Sequence, residues 1–265
     1  MNRNRWWLRC LLVGLTTMPA SPLQAQQSAV PDWFLRLRLP NAAGKSIITP
    51  AAWGAAYGVA FAGAGLTNRA PYLKSTDGVV AMGVGLGDPV LSLGLQVTTT
   101  MADLSEANTF SLSFKLHRYL GAGTAIAFGA ENLFSDDEIA DDFGDTFFAV
   151  LSHTFQGISS ARPGVGRVHA SVGVGSGRFA NRSSRDISEG KGEHGTYVFG
   201  NAALEVQPDL NLIVEWSGIN LHAGAAFVLR AAGQSIGFSL GLADLTSYSG
   251  DGVRVVGGGA VGVSF

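Results

Sequence analysis

The chain has 265 residues, with 18 basic and 20 acidic side chains, a formal net charge of −2 and a single cysteine. So even a balance leaves no electrostatic footprint for nucleic acid, and one cysteine excludes both a disulfide framework and a cysteine-based metal site. Hydrophobic residues make up 46% of the sequence, yet no apolar run reaches the roughly 18 residues that a helical membrane span needs.

At the N-terminus, Arg3, Arg5 and Arg9 precede a short apolar run, Cys10–Leu15, and a Pro and small-residue stretch that ends at Ala25. This is the layout of a secretory signal peptide, so residues 1–25 are expected to be removed after Ala25. Leu23 is larger than the small residue preferred at its position. Cys10 would leave with the peptide, and so would three positive charges, making the remaining chain more acidic.

From residue 53 onward the dominant signal is period-two alternation. It marks strands near 53–65, 78–87, 90–101, 109–119, 123–132, 146–155, 167–176, 196–206, 210–217, 220–229, 235–245 and 253–265. Leu91, Leu93, Leu95 and Val97 oppose Ser92, Gly94 and Gln96. Ile236, Phe238, Leu240 and Leu242 oppose Ser235, Gly237 and Ser239. Large apolar residues on one face and small or polar ones on the other suit a wall between lipid and a lumen. The connections alternate too: 87–89, 120–123, 207–209 and 230–234 are tight turns, while 66–77, 102–108, 133–145, 177–195 and 246–252 are longer and mostly more polar. The expected fold class is therefore all-β, a transmembrane antiparallel up-and-down β-barrel of about 12 strands. Ten and fourteen strands stay open, because 156–166 is long for a turn and 217–220 short for a loop.

The expected organisation is a signal peptide at 1–25, a lead at 26–52 and a barrel at 53–265. Within the lead, Trp33–Leu39 alternates, but one more strand would spoil the even count. Residues 26–52 form a periplasmic lead, a lumenal plug or an extra strand.

A barrel of this size is too wide for inward side chains to fill. The ionisable residues on the inward face are Lys115, His117, Glu131, Arg167, His169, Glu205, Glu215 and Arg254. Charges there must pair or stay wet, so these eight are expected to pair across neighbouring strands or to line a path for a polar solute or glycan. Arg167 and Glu205 become cross-strand partners if Ser171 lies opposite Asn201.

His169-Ala-Ser171 resembles the His-x-Ser found on a barrel strand in outer-membrane phospholipase A and in the lipid A deacylase PagL. Only those two residues match, since Val172 and Gly173 stand where those families tend to have Asn. The alternative that this resemblance implies is a lipid hydrolase using Ser171 and His169. Asp136, Asp137, Glu138, Asp141, Asp142 and Asp145 make an acidic loop whose oxygens suit a hard cation bridging to lipopolysaccharide, or simply a solvated loop. The loop carrying Arg178, Arg182, Arg185, Lys191 and His194 also holds Asp186, Glu189 and Glu193, and reads as an exposed loop or a cover over the mouth.

Two short stretches, Ile47–Trp53 and Val214–Gly224, resemble elements of the YjbH-like outer-membrane proteins linked to exopolysaccharide production. The chain ends on Phe265, with Val263 and Val261 on the same face. That resembles the C-terminal insertion signal of outer-membrane barrels and implies recognition by the barrel-assembly machinery. The expected location is the outer membrane of a Gram-negative bacterium, in contact with lipid and lipopolysaccharide. The expected role is a pore, transport or envelope component with no cofactor and no enzymatic activity. A non-conducting barrel plugged by its N-terminal segment is the other non-catalytic alternative.

Overall fold

The computed structural model describes residues 44–102, 109–135, 144–159, 166–231 and 234–265. The expected signal peptide, the Trp33–Leu39 stretch and the acidic residues Asp136, Asp137, Glu138, Asp141 and Asp142 lie outside the described residues.

Twelve strands form a closed antiparallel barrel: β1 (Val59–Thr67), β2 (Asp77–Gly87), β3 (Gly94–Ala102), β4 (Thr109–Gly121), β5 (Thr124–Leu133), β6 (Thr146–Ser159), β7 (Gly166–Gly175), β8 (Val198–Gln207), β9 (Leu210–Trp216), β10 (Leu221–Ala231), β11 (Gln234–Ala243) and β12 (Arg254–Ser264). Each strand pairs with its neighbours in sequence, and β1 closes on β12, with Val59 opposite Ser264 and Thr67 opposite Val256. Closure leaves no edge, so every strand can satisfy its backbone groups without water. The alternation read from the sequence becomes the wall itself. Leu212, Val214, Phe238, Leu240 and Leu242 are exposed on the outer face, while Asn211, Ile213, Glu215, Ser235 and Ala243 are buried on the inner one.

Connections after the even-numbered strands are the shorter set, 88–93, 122–123, 160–165, 208–209 and 232–233. Those after the odd-numbered strands include 68–76, 134–145, 176–197 and 244–253. The two ends are called here the short-turn end and the long-loop end. Of the two awkward connections, the first falls into this scheme and the second stays a short turn among the longer loops. Strand β6 continues to Ser159 and shortens the first, and Ser217 N donates to Asn220 O at 3.0 Å to close the second as a tight turn.

Two strand starts differ from expectation. β3 begins at Gly94 because Asp88 Oδ1 accepts from Val90 N (2.9 Å) and Leu91 N (3.1 Å), an Asx turn that holds the chain out of the ladder. β1 begins at Val59, and the residues before it lie inside the barrel. Their smallness permits this: Ala55 and Ala56 pass so close to β2 that a Cβ on Gly85 would collide with the Ala56 carbonyl, and Gly54 lies against Lys115 and His117 of β4. Two apolar clusters sit within the ring. One joins Ala52, Ala125, Ala127, Phe148, Val150, Phe179 and Phe199, flanked by Trp53 and Tyr119. The other joins Ala203, Ile213 and Ala226, with Ile47 against them.

Candidate functional site

The interior is organised around residues 44–57. Glu215, on the inner face of β9 and 1% exposed, accepts three consecutive backbone donors: Ile47 N at 2.6 Å, Ile48 N at 2.8 Å and Thr49 N at 3.2 Å. A carboxylate that accepts several N–H groups is a compact way to hold irregular backbone in a dry interior. Other strands contribute single bonds. Lys45 Nζ donates to Asn211 Oδ1 (2.7 Å), Asn201 Nδ2 to Thr49 Oγ1 (2.9 Å), Ala52 N to Ser152 Oγ (2.8 Å) and Ala55 N to Gln96 Oε1 (3.0 Å). From β4, Lys115 Nζ donates to Trp53 O (2.7 Å) and Ala51 O (3.4 Å), and His117 Nε2 donates to Ala55 O at 3.0 Å.

The inward ionisable residues are therefore partnered differently than expected. Lys115, His117 and Glu215 bind the lumenal segment instead of neighbouring strands. Glu131 forms a two-pronged ion pair with Arg178 (2.7 and 3.3 Å), a residue of the loop after β7 whose Nη1 also donates to Ile48 O at 3.1 Å. Arg254 pairs with Asp244 at 2.6 Å, beside His222. The β7–β8 register does place Ser171 opposite Asn201, and its last pair is Val168 with Leu204. Arg167 is exposed just beyond that pair while Glu205 is buried. Arg167 thus sits exposed at the end of β7, beyond the last β7–β8 pair.

His169 is buried with its Nδ1 2.9 Å from Thr154 Oγ1, and Ser171 Oγ lies 2.8 Å from Ser152 Oγ, the hydroxyl that accepts from Ala52 N. Both side chains face the lumenal segment, away from the outer wall where lipid would lie. The neutral residues Gln96, Ser152, Asn201 and Asn211 hold the segment as much as the charged ones do. A search for ionisable groups passes over them, although all four sit on inward positions of the alternation.

At the long-loop end, three of the described loops are tied together. The loop after β7 dips inward through a 3-10 turn, Gly177–Phe179, and Phe179 is fully buried, stacked on Phe199 with ring centroids 4.1 Å apart. It then forms a short helix, α1 (Ser184–Ser188), capped by Ser183, whose hydroxyl accepts from Asp186 N. Asp186 is 1% exposed and gathers donors from three loops: Tyr72 OH at 2.6 Å, Ser183 Oγ at 2.8 Å, Gly250 N at 2.8 Å, and Ser249 Oγ. Burial acts to raise its carboxyl, but these hydrogen bonds, that of Ser249 first, outweigh burial and hold it well below the usual carboxylate range. The Tyr72 hydroxyl is pushed up to about 12, by burial first and then by Asp186. Lys191 reaches the same cluster, donating to Tyr72 OH at 2.6 Å and to Gly250 O. Asn220 Oδ1 accepts from Tyr248 N (2.8 Å) and its Nδ2 donates to Asp244 Oδ1 (3.1 Å), which binds the loop after β11 to the turn after β9.

Opposite the crowded wall, a cavity of about 730 Å³ remains between the lumenal segment and the inner faces of β1, β2, β11 and β12. Its volume lies within the roughly 300–1,000 Å³ range of small-molecule sites. Phe61, Val79, Val256 and Ile47 line it alongside many glycines, and Lys115 and Gln96 reach it from the far side.

No protein-family model and no curated protein matches this sequence. Among solved structures, outer membrane phospholipase A from Escherichia coli is similar at 10% identity and a TM-score of 0.44, over 79% of this chain and 98% of that one. The KdgM porin in complex with disordered oligogalacturonate is similar at 7% identity and a TM-score of 0.44, over 78% and 99%. LpxR from Salmonella typhimurium is similar at 7% identity and a TM-score of 0.39, over 78% and 100%. The fold is that of an outer-membrane β-barrel. The expectation that the chain is not an enzyme is withdrawn, because a barrel fold by itself does not argue against catalysis.

Proposed function

We propose that this chain is an outer-membrane barrel closed at rest by residues 44–57, which must shift before a polar solute can pass. The observation that carries this reading is the capture of three successive N–H groups by the buried Glu215 carboxylate. That clasp is the densest hold on the segment, which other strands grip by single bonds, so its loss loosens residues 47–49 without removing any part of the wall. The knot of three loops around Asp186 at the long-loop end supports the same reading.

Planar-bilayer recordings test it. The wild type should show rare, brief openings, and Glu215→Ala should open for much longer while keeping the heat-dependent gel mobility of a folded barrel. A wild type that is steadily open, or a folded Glu215→Ala variant with unchanged conductance, overturns the proposal.

A second reading, a part in exopolysaccharide export, is favoured by one observation. The two stretches that resemble YjbH-like proteins meet, because Glu215 in one binds Ile47, Ile48 and Thr49 in the other. Unchanged secreted polysaccharide in a strain lacking the chain would remove it.

A further inference from the structure

The geometry points to the cavity beside the lumenal segment as a binding site for a single-chain amphiphile, an unbranched alkyl chain with one anionic head. This holds whether or not residues 44–57 ever leave the lumen.

Shape is the first argument. The cavity follows the inner face of β1 from Val59 to Thr67, a path of about 26 Å at the rise of a β-strand. A space of about 730 Å³ with a path of that length accommodates an extended alkyl chain. Its surface is the second argument. Ile47, Phe61, Val79 and Val256 offer apolar contact, and glycines supply backbone that a methylene chain can approach closely. Thr67, Asp77, Gln96, Ser235 and Ser239 also reach the space, but most of its exposed surface is apolar, and an alkyl chain covers that surface without leaving a hydrogen-bonding group unmatched.

Lys115 supplies the head-group contact. An ammonium has three N–H donors, and two of them are directed at Trp53 O and Ala51 O. Its hydrogen-bond partners among the described residues are carbonyls, with the Glu131 carboxylate acting on it from farther off, so the third N–H can take a carboxylate or phosphate of the ligand. Two sources share this chemistry, a free alkyl carboxylate and a monoacyl phospholipid.

Gly237 makes the site testable. It lies on the inner face of β11 at the cavity, and a Cβ placed there meets no heavy atom within 4 Å. Gly237→Trp should thus fill the space without disturbing the wall, and Gly262→Trp, whose Cβ would have only Ser235 O nearby at 3.9 Å, is the second blocking variant. The full chain is reconstituted in phosphatidylcholine nanodiscs, with empty discs as background, and dialysed against labelled dodecanoate, monoacyl phosphatidylglycerol or dodecanol. One saturable site per chain is expected for an anionic amphiphile. The blocking variants should weaken it by at least about tenfold. Lys115→Gln should weaken the anionic ligand by about tenfold while leaving dodecanol unchanged. Saturable binding of dodecanoate names a free carboxylate as the ligand, and binding of the monoacyl lipid alone names the lipid. Binding no greater than that of empty discs, or wild-type binding in both folded blocking variants, overturns the proposal.

Discussion

The two sides of the lumen differ in how they are filled. Along β4 to β10, the wall presents Phe148, Val150, Phe199 and Ile213 and packs directly against residues 47–53. Along β11, β12, β1 and β2, it presents Gly237, Gly258, Gly262 and Gly63, and leaves a cavity. Both are inner faces of one continuous barrel with one hydrogen-bonding pattern. Inner-face side-chain volume, not the strand ladder, therefore decides where an irregular segment can rest and where a ligand can enter.

The contrast breaks most easily at Phe199. This ring is 1% exposed and stacks on Phe179, so Phe199→Ala should destabilise the barrel by about 3–5 kcal/mol, the usual cost of emptying a packed aromatic site. Urea unfolding in lipid, followed by tryptophan fluorescence, measures this. A loss under about 1 kcal/mol would mean that the crowded side is no better packed than the open one.

An intermediate effect is expected at the long-loop mouth. Removing the Asp186 charge with Asp186→Asn leaves several buried donors poorly matched and should weaken the closed loops by about 1–3 kcal/mol. The wild-type latch has a defined pH window. Asp186 is lowered, so its contribution is present above about pH 4 and fades as pH falls towards its depressed value. Tyr72 is raised, so its contribution is present below about pH 10 and is lost as pH rises through about 12. Hydrogen exchange at residues 184–191, corrected for intrinsic rates, should be flat between those limits. Opening near neutral pH would show that another group governs the mouth.

The smallest effect belongs to the open side. Gly237→Ala should change stability by no more than about 0.5 kcal/mol, since the new methyl points into empty space. An effect as large as that of Phe199→Ala would erase the distinction between the two walls.

Much of this architecture was legible in the sequence because a β-wall repeats every two residues. Lys115, His117, Glu131, His169 and Glu215 all fall on the inner face that the alternation assigned to them, and the Ser171–Asn201 register follows from counting back along two strands. The lumenal segment was not legible in the same way. Trp53–Tyr57 is rich in Gly and Ala and continues smoothly into β1, so a local pattern cannot tell wall from lumen. The partners of Lys115 and Glu215 were hidden for a related reason. They are backbone carbonyls and N–H groups, which every residue carries and no side-chain pattern marks. Arg167 shows a further limit, since parity gives a face but not the point where a ladder stops.

Ile47 and Glu215 lie 168 residues apart in the chain. A segment that precedes the first strand is thus fastened by the ninth, and strand pairing between neighbours cannot bring the two together early. Contacts of such separation carry a large loop-closure cost and slow folding. Once β1 has joined β12, the wall offers no side entrance. The order of events during biogenesis is constrained accordingly: residues 44–57 must be enclosed as the ring is sealed, or be threaded afterwards through a mouth. A variant that loses the Glu215 clasp would then seal sooner and emptier, trading a slow, guided closure for a fast one.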